Sequence, residues 1–354
     1  MDKKIILGIA IVLIIGAIIY LQGLNPQREQ AMRKEIAVTG NGTTSLARIA
    51  MKDAEYPKAV ELVSPDAYIN SEPFNLSDAI GKKVILVDFW TYSCINCQRT
   101  LPYLTSWDEK YRDEGLLIVG VHTPEFDFEK ELGNVQRAVE KYGIAYPVVL
   151  DNEYRTWNAY QNHYWPRHYL IDIDGYIVDD HIGEGAYAET ERRIQDLLEE
   201  RRQALGLNMT VGRGITELMA PDVQAATAEI YLGYGFSRGQ FGNAEGWQPG
   251  KTVTYALPAQ RDAGRFYLDG TWTNNEDNME SANGSVRLTY AAQSVNIVAG
   301  AATPTTIHAI VDGQESDVTV SGDDLYPIAA GAFGTHELEL QVPAGVRLYT
   351  FTFG

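Results

Sequence analysis

Two short runs, KKVILVDFW at 82–90 and GLLIVGVHT at 115–123, are apolar at almost every position and rich in β-branched residues. That is the pattern of strands buried on both faces. Between them, from Cys94 to Glu114, Leu101, Leu104, Trp107 and Tyr111 recur at three- and four-residue intervals, which predicts a helix. Strand, helix, strand is the signature of a parallel crossover. A second helix is predicted over EKELGNVQRAVEKYG (129–143), then a strand in AYPVVLD (145–151), and two more strands in RHYLIDIDGYIVDDHIG (167–183) around the Asp174-Gly175 turn. A closing helix covers 188–205. The segment 60–205 therefore reads as an α/β domain with a mixed sheet.

Beyond Leu205 the texture changes. GLNMTVGRGITELMAPD reads as a linker (206–224), and 225–354 is built of short alternating segments: GSVRLTYA, SVNIVAG, TTIHAIVDG, HELELQV and RLYTFTFG. Short strands between turn residues predict an antiparallel β-sandwich. At the other end, Lys3 and Lys4 precede an uncharged run from Ile5 to Leu21, long enough at about 17 to 20 residues to span a hydrocarbon core. The competing reading is a cleaved signal peptide, but the run exceeds the usual apolar region of about 7–15 residues and no small-residue cut site follows. A single-pass anchor at 1–24, followed by a polar tether at 25–59 with one short helix, is the expectation. The positive-inside bias then puts the rest of the chain on the extracytoplasmic side of the cell membrane, periplasmic or outer, where disulfide chemistry is permitted.

Composition narrows the partners. The 354 residues carry a formal net charge of −18 and no basic stripe, which excludes nucleic acid as an expected ligand.

The chain has two cysteines, both in DFWTYSCINC (88–97). A closed zinc site would need two histidines with suitable spacing; His163 and His168 have it, but His168 falls in a predicted strand. A disulfide closing so short a loop constrains the unfolded chain little. A reactive pair fits better: Cys94 stands where a buried strand gives way to a helix, whose unpaired N–H groups and dipole favour a thiolate, and Cys97 lies one turn on, facing the protein. Pro102, inside the same helix, should kink it. Asp88 is an acid within an apolar strand, and burial would raise its pKa toward the range useful for proton exchange.

VDFWTYSCINC, Pro102, and Trp165-Pro166 ahead of a strand and Asp-Gly hairpin resemble the active-site elements of the thioredoxin superfamily. Residues 60–200 are similar to the membrane-tethered TlpA-like thiol–disulfide oxidoreductases, above all to the thioredoxin domain of DipZ-type proteins. The sandwich resembles the one that follows that domain, which is itself similar to carbohydrate-binding modules. The resemblance implies a thioredoxin fold, a redox-active Cys94–Cys97 disulfide with no further cofactor, Asp88 as proton acceptor for the second cysteine, and a cis bond before Pro166. It aligns Glu125 with an acid near the redox site. It also implies a substrate groove lined by Trp90, Tyr92, Ile95, Asn96 and Trp165, protein thiol or disulfide substrates, and a membrane electron donor of the cytochrome c biogenesis type. Ile95-Asn96 replaces the Gly-Pro usual in thioredoxin, so the reduction potential does not carry over. A peroxiredoxin-like reading lacks the proline-led peroxidatic motif.

In the sandwich, Trp247, Tyr267, Trp272 and Tyr290 could offer flat faces for sugar stacking, but aromatics in a sandwich more often fill the core or line an interface, and a protein partner or the neighbouring domain is the better-favoured ligand. With 16 Asp and Glu against 7 Lys and Arg from residue 208 onward, an anionic polymer is not expected there. The expected function is a membrane-anchored, extracytoplasmic thiol–disulfide oxidoreductase, acting in cytochrome c maturation or disulfide reduction. The alternative is a cell-surface binding protein whose sandwich is the working domain.

Overall fold

The computed structural model describes residues 43–218 and 224–354; the apolar run at 5–21, expected to be an anchor, lies outside them. Among the described residues no helix is long and apolar enough to cross a membrane, and two sheets form. The first has six strands: β1 (Ala67–Ile69), β2 (Val84–Trp90), β3 (Leu116–His122), β4 (Val148–Leu150), β5 (Arg167–Ile171) and β6 (Ile177–Ile182), in the order β1-β4-β3-β2-β5-β6. β2 is parallel to β3 and antiparallel to β5.

All seven residues of β2 are buried, which explains its unbroken apolar sequence. Val84, Leu86 and Trp90 join one core cluster with Leu101, Leu104 and Trp107 of helix α2 (Ile95–Tyr111); Ile85, Val87 and Phe89 join another on the opposite face with Trp157 and Tyr169. The period of two therefore puts Asp88 on the face that carries α2 and Cys97. Helices α3 (Leu132–Lys141), α4 (Arg155–Ala159) and α5 (Tyr187–Ala204) complete this domain.

The described parts of the two connecting segments are both held to this domain. Helix α1 (Thr43–Glu55) is held to the domain: Lys52 Nζ lies 2.6 Å from the Asp172 carboxylate and 2.9 Å from that of Asp174, and also contacts Glu200, while Arg48 makes a two-pronged pair with Asp174 at 2.6 and 2.7 Å. The segment after α5 has no regular structure yet docks on α5. The buried Glu191 carboxylate accepts hydrogen bonds from Thr216 N at 2.6 Å, Tyr111 OH at 2.8 Å and Lys110 Nζ at 3.0 Å.

The C-terminal domain is an antiparallel β-sheet: β7 (Ile230–Tyr231), β8 (Thr252–Tyr255), β9 (Phe266–Asn274), β10 (Met279–Gly300), β11 (Thr305–Val311), β12 (Gln314–Val320), β13 (Asp324–Val342) and β14 (Arg347–Phe353). The two segments expected as separate strands at 284–300 are one strand, β10, bulged between Ala292 and Ser294 rather than broken. Along one edge β10 changes partner, from β9 at Met279–Leu288 to β14 at Val295–Gly300.

Of the two readings of the sandwich aromatics, sugar platform or core, the structure favours the core for three of the four. Trp272, Tyr267 and Tyr290 are 0, 3 and 3% exposed and belong to the domain's interior, and the Trp272 indole N–H is spent on Asp269 O at 2.9 Å. Trp247 is half-buried, its ring 4.7 Å from that of Phe241. Alternation places an aromatic on a face of a strand, but the interior of a closed-over sheet consumes such faces first.

Candidate active site

β2 leads directly into the cysteine loop. Thr91, Tyr92 and Ser93 are buried, Cys94 is the N-cap residue of α2 with extended backbone (φ −77°, ψ 119°), and Gln98 N donates to Cys94 O at 3.0 Å to start the helix. Gln98 Nε2 also donates to Tyr92 O at 2.8 Å, pinning the loop to the first helical turn. Both cysteines are free thiols; Cys94 is half-buried, whereas Cys97 is 1% exposed. Burial pushes the Cys97 thiol well above its ordinary pKa, reinforced by the adjacent Cys94 sulfur and by Asp88.

Asp88 is 1% exposed, and neither carboxylate oxygen has a hydrogen-bond partner. Desolvation alone raises its pKa to about 8. Its neighbour across the parallel pair is Gly120, and no side chain larger than hydrogen fits there. A Cβ would stand 2.9 Å from Trp90 Nε1, 3.2 Å from Val148 Cγ2 and 3.3 Å from Tyr146 Cε2. The missing side chain leaves room for Trp90 and Tyr146 at the strand position paired with Asp88.

The Trp165–Pro166 peptide bond is cis. Pro166 is buried and Trp165 half-buried, its indole N–H donating to Thr123 O at 3.1 Å. Of the five residues expected to line a groove, Ile95, Asn96 and Trp165 are partly accessible; Trp90 and Tyr92, at 0 and 3% exposed, are not. Trp90 is drawn into the core by its place on β2. Tyr92 stacks on His122 (5.8 Å, 21° between planes), and its hydroxyl donates to Asp323 O of the C-terminal domain at 3.2 Å.

Glu125 is half-buried and accepts a hydrogen bond from Tyr231 OH at 2.6 Å; burial, aided by nearby Glu229, raises its pKa to about 8. The residue that sequence reasoning missed is Glu129. Fully buried, it accepts from Ser93 Oγ at 2.6 Å and Ser93 N at 3.3 Å with one oxygen, and from Glu125 N at 2.6 Å and Phe126 N at 3.0 Å with the other. It ties the residue before Cys94 to the loop that carries Glu125. Burial raises its pKa against these donors. In sequence it is one acid among several in PEFDFEK, and only its turn inward sets it apart.

This arrangement is a partly accessible sulfur at a helix N-terminus, a second sulfur one turn inward and buried, and a protonatable carboxyl on the same face. The comparisons agree with it. The Redoxin family matches residues 51–198, and the family described as "Thioredoxin like C-terminal domain" matches residues 227–354. Protein DipZ of Mycobacterium tuberculosis is 35% identical over 291 residues, 80% of this chain and 40% of DipZ, so the chain spans well under half of that relative's length. The thiol-disulfide oxidoreductase YkuV of Bacillus subtilis is 28% identical over 40% of this chain and 93% of its own. The thiol-disulfide oxidoreductase ResA of Halalkalibacterium halodurans is 32% identical over 40% of this chain and 74% of its own. With the CxxC pair at Cys94 and Cys97 inside the matched region, the chain belongs to the redoxin family of thioredoxin-like thiol–disulfide oxidoreductases, and its two-domain build is that of a DipZ homologue.

Proposed function

We propose that the chain is a membrane-anchored, extracytoplasmic enzyme that reduces protein disulfides, cytochrome c maturation being a setting of that kind. The observation that carries the chemistry is the difference in exposure between the two sulfurs: Cys94 can meet a protein disulfide and Cys97 cannot. Cys94 attacks as the thiolate, forming a mixed disulfide and releasing one substrate thiolate. Cys97 gives its proton to the ionised fraction of Asp88 and its thiolate attacks Cys94 Sγ; the Cys94–Cys97 bond forms, the mixed disulfide breaks, and the second substrate sulfur leaves as a thiolate that takes its proton from water. Two electrons pass to the substrate, and a membrane thiol donor of the cytochrome c biogenesis type restores the dithiol. Ile95, Asn96, Trp165 and the buried Pro166 shape the groove beside Cys94. The run Ile5–Leu21 supports the anchor; intact mass of the membrane-extracted protein should correspond to a start near Met1, and a start near residue 23 would overturn it.

We read the C-terminal sheet, whose long strand β10 changes partner midway, as a jelly-roll-like sandwich. A role for that domain as a free-standing sugar binder is the weaker reading, since three of its four candidate aromatics are buried. Insulin reduction in the presence of a dithiol tests the enzyme reading. Wild type should precipitate the insulin B chain well above background and Cys94→Ala should not; equal rates would reverse the assignment.

A further inference from the structure

The loop 123–129 is where three parts of the molecule meet. On one side Glu129 holds Ser93, the residue before Cys94, at 2.6 Å. On another, Thr123 O receives the indole N–H of Trp165, the residue before the cis proline, at 3.1 Å. On the third it is covered by the C-terminal domain. Phe126 is 1% exposed, its ring 5.2 Å from Tyr349 and 5.5 Å from Phe236; Phe128 lies 4.7 Å from Tyr349, edge to face; Ile95, between the two cysteines, packs on the same cluster. The Lys141–Asp324 pair at 2.7 Å closes the rim.

The polar contact within this apolar seam is the informative one. Tyr231 OH, from β7, lies 2.6 Å from Glu125 Oε1 and 3.1 Å from Glu229 Oε2. A phenol has a single proton to donate. Both contacts are satisfied together only when one of the two carboxyls is itself protonated and donates to the phenol oxygen. Glu125 in turn gives its backbone N–H to Glu129 at 2.6 Å, and Glu129 binds Ser93. Glu125 thus joins two sets of hydrogen bonds: its carboxyl meets Tyr231 of the C-terminal domain, and its backbone N–H meets Glu129, which holds the residue preceding Cys94.

We propose that Tyr231 is a positioning residue of the redox centre: through its hydroxyl the C-terminal domain orients Glu125 and sets its charge, coupling domain docking to the reactivity of Cys94 and Cys97. This rests on the enzyme reading above and adds regulation to the same site. The groups facing Glu125 are Glu229, Tyr231 and Arg238 from the C-terminal domain, Glu129 from its own loop, and Tyr154, whose hydroxyl donates to Pro124 O. Arg238 lies over the Tyr231 ring at 4.5 Å and is the cation of the group. With two carboxyls nearby, removing the phenol's hydrogen bond disfavours the charged form of Glu125, so its ionisation moves to higher pH.

The test uses the full chain, with Asp88→Asn in every protein compared so that this second carboxyl near pH 8 does not contribute, and its rate of reaction with a small chromogenic disulfide between about pH 5 and pH 10. Tyr231→Phe keeps the ring in the aromatic cluster and removes only the hydroxyl. The Asp88→Asn parent should show an inflection from Glu125; Tyr231→Phe should move it up by about one pH unit, the size of a hydrogen bond to a charged group. Glu125→Gln should lose it, and the double variant should match Glu125→Gln. An inflection unmoved in folded Tyr231→Phe, or retained in Glu125→Gln, overturns the coupling. Cys94→Ala in the same assay separates the two claims: undiminished reaction there would sink the enzyme reading itself, whereas loss of reaction with an unmoved inflection removes only the role of Tyr231.

Discussion

Replacing Asp88 by asparagine keeps the shape of the side chain and removes its ionisation. The folded chain holds this carboxyl at a pKa of about 8, from an ordinary value of 3.8, because burial disfavours the charge and no donor faces either oxygen. Between those values the folded state binds a proton that the unfolded state has released, so stability falls as pH rises from about 4 to about 8. At about 1.36 kcal/mol per pKa unit, linkage gives a loss of about 3.5 kcal/mol between about pH 5 and pH 8. That is a large share of a domain stability of roughly 5–15 kcal/mol. The amide of the variant would be equally unpartnered at every pH. The difference in unfolding free energy, Asp88→Asn minus wild type, should therefore grow by about 3.5 kcal/mol in favour of the variant over that interval. Glu125, Glu129, His122 and His168 are common to both proteins and drop out of the difference. The assay is urea unfolding of the reduced proteins at several pH values. A difference that stays constant within about 0.5 kcal/mol would mean that Asp88 is already ionised in the folded chain at the acid end, and the desolvation argument would fail.

Gly120→Ala should cost about 1–3 kcal/mol by urea midpoint, since the added Cβ meets Trp90, Val148 and Tyr146 within 3.3 Å; an unchanged midpoint would show that the indole has room to move. Glu129→Ala leaves Ser93 Oγ and the amides of Glu125 and Phe126 without their acceptor. It should lose about 3 kcal/mol or more and speed hydrogen exchange at those two amides, whereas exchange at the wild-type rate would indicate that the loop holds itself. Lys52→Met removes the cation shared by Asp172, Asp174 and Glu200. A loss of about 3 kcal/mol and faster proteolysis after α1 are expected, and wild-type resistance would mean that Arg48 alone holds the helix.

Much of the α/β domain was legible because its central strands are buried on both faces and so read as unbroken apolar runs. The helix predicted to reach Glu114 ends at Tyr111, ahead of Gly115 in the left-handed region at φ +109°. The helix predicted from Glu129 starts at Leu132, because Glu129 belongs to a short 3-10 turn (Asp127–Lys130) and spends its side chain on backbone amides. The cysteine pair and Asp88 could be singled out from local context, a strand end and an apolar run, whereas Pro166 was marked only by the family resemblance. Tyr231 could not: it meets Glu125 across 106 residues of sequence, and no local pattern marks an aromatic that will seal a domain interface. Trp272, Tyr267 and Tyr290 were left open between core and ligand face for a related reason, since periodicity separates the two faces of a strand without saying which one faces the interior; they fill the core.

The central claim is the division of labour between the partly accessible and the buried sulfur, and trapping of mixed disulfides tests it most directly. A chain carrying Cys97→Ala should accumulate substrates covalently bound through Cys94, visible as reductant-sensitive bands on a non-reducing gel. Cys94→Ala should give none, because the remaining thiol is 1% exposed. Adducts that form through Cys97 in the Cys94→Ala chain, or that fail to form in the folded Cys97→Ala chain, would contradict the account.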